Sequence, residues 1–232
     1  MIPYPAIALL ALLLAPPALA HDLWLEKEGN VLVLHQGHKH SSHASSETQP
    51  YDAGFVKAAL CLDTAGAART LPAVKGVPWR SSADCPALLL SVSSGYWSKT
   101  PWETKNLPRN QVQGALRSWL SEESVKRIDR WTPAAAQPVG DGLEIVPLAN
   151  PLTLWVEDKL SVRVVEGRKP RAGVTVAYGD DARGTTGADG TIAIRVRHGG
   201  VNLISASIET PLADGRADVR IQSATLQFDL PQ

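Results

Sequence analysis

Five of the six histidines in this 232-residue chain lie between His21 and His43, as His21, His35, His38, His40 and His43. Neutral imidazole ligates nickel, cobalt, copper and zinc alike, so this clustering points to a divalent transition-metal site. His21 follows Ala18-Leu19-Ala20, which reads as the cleavage site of a signal peptide spanning residues 1–20, with its apolar stretch at residues 6–15. Cleavage makes His21 the first residue, and its α-amine and ring nitrogen then chelate one ion together once the metal competes with protons for the lone pairs. The sixth histidine, His198, follows Arg197 in a turn and reads as an ordinary loop residue.

The segments around these histidines must form a hairpin. Leu23/Leu25 and Leu32/Leu34 alternate on either side of Glu28-Gly29-Asn30, the pattern of two strands sharing one buried face. A two-residue Gly29-Asn30 turn sets Glu28 against Val31 and Leu25 against Leu34, and the ladder continued sets His21 against His38. Opposed Cβ atoms are then about 5 Å apart, close enough for two imidazoles to share an ion. A Glu28-Gly29 turn instead sets His21 against Gln36, with His38 diagonal to it. Both registers keep His21, His38 and His40 on the leucine side and turn His35 to the opposite face, unless Gly37 breaks the strand. Lys39 and residues 41–46 read as a loop that brings His40 and His43 over the ion.

Composition narrows the remaining classes. Twenty-three basic residues balance twenty-three acidic ones, so there is no basic surface for nucleic acid. Past the leader, no run approaches the roughly 20 apolar residues of a membrane span, so no membrane insertion is expected after cleavage. Export to an oxidising periplasm predicts a Cys61–Cys85 disulfide. From residue 151 onward, stripes such as Leu152/Leu154/Val156, Leu160/Val162/Val164 and Leu226/Phe228/Leu230 alternate with Gly- and Asp-containing turns. The expected architecture is all-β, with two immunoglobulin- or transthyretin-like sandwiches at residues 21–149 and 150–232. A short helix is expected over residues 111–131, where Leu116, Trp119, Leu120, Val125 and Ile128 have helical spacing although two short strands also fit. A change of phase after Val219/Ile221 predicts a bulge near Ser223. The chain carries no G-x-S-x-G, H-E-x-x-H or phosphate-binding glycine loop, so no enzyme is predicted.

The start His21-Asp22-Leu23-Trp24-Leu25-Glu26, the Gly37-His38 pair, the stretch GDGLEIVPLANP at residues 140–151 and the DKLSVRVVEGRKPRAGVTVAYG to TTGADG run together resemble one family. It is the periplasmic component of cobalt and nickel uptake systems, a domain largely of unknown function. The resemblance spans nearly all of the chain after residue 20, and GDGLEIVPLANP is its most specific piece. Gly187 stands where that family often has Asp, which alters a turn and no ligand. The resemblance implies a periplasmic accessory that handles nickel or cobalt near a membrane transporter, with His21 and His38 at the family's histidine positions and His40 and His43 outside its pattern. Copper and zinc also suit the donors. Two other classes share some of these features: a copper His-brace oxidase acting on polysaccharide, and an adhesion or carbohydrate-binding module that uses the tryptophans, all seven of which lie between Trp24 and Trp155.

Overall fold

The computed structural model describes residues 22–39, 47–74 and 76–231. The expected signal segment lies outside them. Its principal strands are β1 (Asp22–Glu28), β2 (Val31–His38), β3 (Val56–Leu62), β4 (Ala87–Lys99), β5 (Arg117–Ile128), β6 (Leu143–Pro147), β7 (Lys159–Glu166), β8 (Thr175–Tyr178), β9 (Asp181–Thr185), β10 (Thr191–Arg195), β11 (Gly200–Pro211) and β12 (Val219–Leu230). The all-β expectation holds.

Three sheets stack in layers. A large central sheet runs β9-β8-β11-β12-β5-β4-β3 and ends in a short strand at Ala68–Thr70. The hairpin β1-β2, extended by Glu47–Thr48 and Arg80–Ser81, covers part of one face; β6, β7 and β10 cover the other. This explains the unbroken apolar run Ala87-Leu88-Leu89-Leu90, since a strand covered on both faces has no polar side to alternate with. Leu88, Leu90 and Val125 pack with Leu23, Leu25, Leu32 and Leu34 of the hairpin. Leu89 and Ile128 pack with Ile145, Leu160, Leu226 and Phe228.

The halves on either side of residue 149 share the central sheet. β5 and β12 lie side by side and parallel, from Val219 opposite Trp119 to Phe228 opposite Ile128. The Cys61–Cys85 disulfide forms as predicted and sits in the core beneath the hairpin.

Three local expectations are corrected. No helix forms over residues 111–131: Arg109–Gln111 makes one 3-10 turn and Arg117–Ile128 is strand β5. Pairing with β4 on one edge and β12 on the other outweighs the weak local preference that the helical spacing expressed. Ser223 carries no bulge, because β12 pairs without a shift; the phase changes there because Ala224, Leu226 and Phe228 face a core that Val219 and Ile221 do not. Leu152, Leu154 and Val156 are not a strand. Pro151–Thr153 forms a 3-10 turn, where the Leu152 amide donates to the Asn150 side chain at 3.0 Å, and Val156 is exposed.

The hairpin is fastened to the central sheet by side chains. The Leu25 amide points away from β2 and donates to Gln227 Oε1 at 2.8 Å, while Gln227 Nε2 donates to the Leu25 carbonyl at 2.7 Å. Arg127, opposite Gln227 in the β5–β12 register, donates to the same carbonyl at 2.9 Å and to Asp229 at 2.6 Å. A buried primary amide thus substitutes for one residue of a neighbouring strand. Gln227→Ala leaves the Leu25 amide buried without that acceptor, at a cost of about 2 kcal/mol. The expected result is a lower urea midpoint together with faster hydrogen exchange in β1 than in β11.

Candidate metal site and adjoining groove

The hairpin adopts the register of a two-residue Gly29-Asn30 turn, with Glu28 opposite Val31, Leu25 opposite Leu34 and Asp22 opposite Gly37. Of the predicted ligands, His35 and His38 are placed; His21, His40 and His43 lie outside the described residues. His38 ends β2 and pairs in register with Glu47.

His35 stands on the face away from the leucines. Its ring stacks on Trp24, its cross-strand partner, with centroids 5.4 Å apart and planes 17° from parallel. Lys39 Nζ sits 5.3 Å from the Trp24 ring, and Glu26 Oε2 lies 3.7 Å from both Lys39 Nζ and His35 Nε2. His35 Nε2 is buried and makes no hydrogen bond. An imidazole nitrogen without a hydrogen bond and a carboxylate beside it are donor types that suit a divalent transition metal, although the Glu26 oxygen here also faces Lys39 and accepts from Trp24 Nε1 at 3.4 Å. Among the described residues, no group of three or more His, Cys, Asp or Glu side chains is arranged to hold an ion.

Beyond the open end of the hairpin the central sheet is uncovered, leaving a groove of about 960 Å³. Gln36 of β2 and Tyr51 form part of its wall, and Tyr51 is tied down by donating to the Leu34 carbonyl at 2.9 Å and accepting from the Trp79 amide at 2.7 Å. Burial raises the Tyr51 phenol above its ordinary value. The floor is the outward stripe of β5, Arg117, Trp119, Ser121 and Glu123, beside Trp97 of β4 and Ile221 and Ser223 of β12.

A bulge in β4 makes this floor. Val92 stands opposite Glu123 but Gly95 stands opposite Ser121, so one extra residue is inserted in β4. An uninterrupted ladder would set Tyr96 against Trp119; the insertion turns Trp97 to the groove instead. The two indoles then stack across the strands, with centroids 6.4 Å apart and planes 12° from parallel. Trp97 Nε1 donates to Ser94 Oγ at 2.9 Å, and Ser93 Oγ donates to the Ser121 carbonyl at 2.6 Å. Asn106 donates to the Ser94 and Tyr96 carbonyls at 2.8 and 2.9 Å and holds the neighbouring loop against the bulge.

Glu123 is the notable charge of the floor. Desolvation raises its carboxyl to about 7, and a hydrogen bond from Ser121 opposes this only in part. No ion pair reaches it among the described residues. Sequence reasoning missed this groove because the Trp119/Ser121/Glu123 alternation overlapped a segment whose apolar residues have helical spacing. The usable signal was the period-two stripe Arg117/Trp119/Ser121/Glu123/Val125.

Within residues 140–151 a buried charge is held in place. Glu144 is buried and accepts from Lys126 Nζ at 2.9 Å through Oε1 and from the Val139 and Gly140 amides at 2.9 Å through Oε2. A Cβ at Gly140 would come within 2.8 Å of Leu89 Cδ2, so the buried Leu89 side chain would have to shift. Among the described residues, no helix is long and apolar enough to cross a membrane. No curated protein and no solved structure matches the chain. One family model matches, and it covers residues 18–210, which takes in both the hairpin and the Glu144 stretch. The chain therefore belongs to the DUF4198 family, a domain of unknown function.

Proposed function

We propose that the protein is an exported accessory that binds a divalent transition metal, nickel or cobalt by preference, and presents it to a membrane uptake transporter in the periplasm. His21, through its amine and ring, and His38 are the principal ligands, with His35, His40 or His43 completing the set. The observation that carries this reading is the hairpin register. Asp22 pairs with Gly37, so the residues that follow His21 and precede His38 are direct neighbours. The disulfide fits an oxidising compartment. The metal is cargo, so affinity must permit release, and selectivity between nickel, cobalt, copper and zinc rests on geometry and supply.

Calorimetric titration of the processed protein with Ni(II), Co(II), Cu(II) and Zn(II) tests the reading. We expect one tight site, lost both on adding a residue before His21 and in His38→Ala. Metal at about a hundred times the dissociation constant should then stabilise the fold by about 2.7 kcal/mol, and chelator should reverse it. Weak binding indifferent to both changes sinks the reading.

A further inference from the structure

We propose that the groove over Trp97 and Trp119 is a carbohydrate-binding site, which takes a short run of pyranose rings with a ring face on the indole pair and hydroxyl groups toward Glu123, Ser121 and Gln36. This does not rest on the metal reading.

The groove's chemistry selects the ligand class. Two indoles stacked across β4 and β5, both half-buried, put an apolar surface into the groove that hydrogen-bonds only at its edge. Around them stand uncharged or weakly charged hydrogen-bonding groups: Ser93, Ser121 and Ser223 on the floor, Gln36 and Gln49 on the wall, and the Glu123 carboxyl at the inner end. An apolar ligand would bury the Gln36 and Gln49 amides and most of the Glu123 carboxyl without new partners, which is costly. A phosphate-rich ligand would need a basic surface, but the lining sets Lys57, Lys99 and Arg117 against Asp52 and Glu123, and Arg117 is already paired with Glu209. A sugar meets both demands, because its axial C–H groups form an apolar face and its rim is all hydroxyl. Sites lined with such groups favour ligands carrying the matching hydroxyls. With its carboxyl near neutrality, Glu123 can donate to one hydroxyl and accept from another. The size fits as well, since a groove of about 960 Å³ holds several rings.

The test is a tryptophan-fluorescence and calorimetric titration of the exported protein, in the presence of chelator, with cellohexaose, chitohexaose and hexagalacturonate. We expect saturable binding of at least one of them, weakened about tenfold or more by Trp97→Ala or Trp119→Ala and unchanged by Trp102→Ala, whose ring is 86% exposed and outside the groove. Ser223→Tyr fills the floor from β12 and keeps both indoles, and it should block binding even if the tryptophan variants fail to fold. Failure of all three oligosaccharides to bind overturns the proposal, as does binding that survives Ser223→Tyr and the folded tryptophan variants. Because chelator is present, either result is independent of the metal site.

Discussion

Replacing Lys126 with methionine destabilises the protein by about 3–5 kcal/mol, the cost of leaving a buried charge without its partner. Lys126 has no solvent exposure, and its ammonium spends all three protons, on the Ala135 carbonyl at 2.9 Å, the Gln137 carbonyl at 3.0 Å and Glu144 at 2.9 Å. Burial pushes this ammonium below its ordinary value, and Glu144 holds it up. Methionine fills the same volume, so little of the loss is a cavity. Most of it comes from Glu144, which retains only two amide donors for a carboxylate that is 1% exposed. Adding Glu144→Gln should recover part of the loss, because an amide needs no counter-charge. Urea unfolding of the two variants checks this, and a loss under about 1 kcal/mol in the single variant would mean that the pair is not ionised in the folded protein.

The second large effect depends on pH. Raising the pH from 5 to 8 should cost the wild-type protein up to about 3 kcal/mol of stability that Glu123→Gln does not lose. The Glu123 carboxyl keeps its proton to about 7 in the folded chain, against 4.5 for an ordinary glutamic acid. Between those values the folded state holds one proton more than the unfolded state, so proton release favours unfolding as the pH rises. The stabilisation relative to an ionised Glu123 is complete below about 4.5 and gone above about 7. Thermal or urea unfolding of both proteins across that range isolates Glu123 as their difference. Parallel curves for wild type and Glu123→Gln would refute the assignment.

How far the sequence foretold this molecule differs from element to element. The hairpin was legible because Leu23/Leu25 and Leu32/Leu34 show a clean alternation around a Gly-Asn turn. Cys61 and Cys85 were legible from their number and the expected compartment. Strand β5 was not, because its groove stripe is polar and its apolar residues happen to recur at helical spacing. Its period-two stripe was the one local sign, and what decides for the strand is pairing with β4 on one edge and with β12, a hundred residues away, on the other. Lys126 and Glu144 were hidden for the same reason, since a charged residue reads as exposed until its partner is known. At the candidate site, sequence identified the histidines and offered two registers for the hairpin, of which the structure takes one. The groove could not be foreseen, since it depends on where the hairpin stops covering the sheet and on the extra residue in β4.

The parallel pairing of β5 with β12 also governs how the chain acquires its shape. The central sheet cannot close until segments 117–128 and 219–230 meet, so its middle is joined by contacts between residues about a hundred positions apart. Folding with such distant contacts is slow compared with a chain that builds its sheet from neighbours. Until β12 arrives, β5 has an open edge, and the backbone of Val125, Lys126 and Arg127 is available to strands of other chains. Lys126 and Arg127 then act as more than anchors, because two charges on that edge discourage association while it waits. Neutralising both should increase aggregation during refolding beyond what the loss of native stability accounts for.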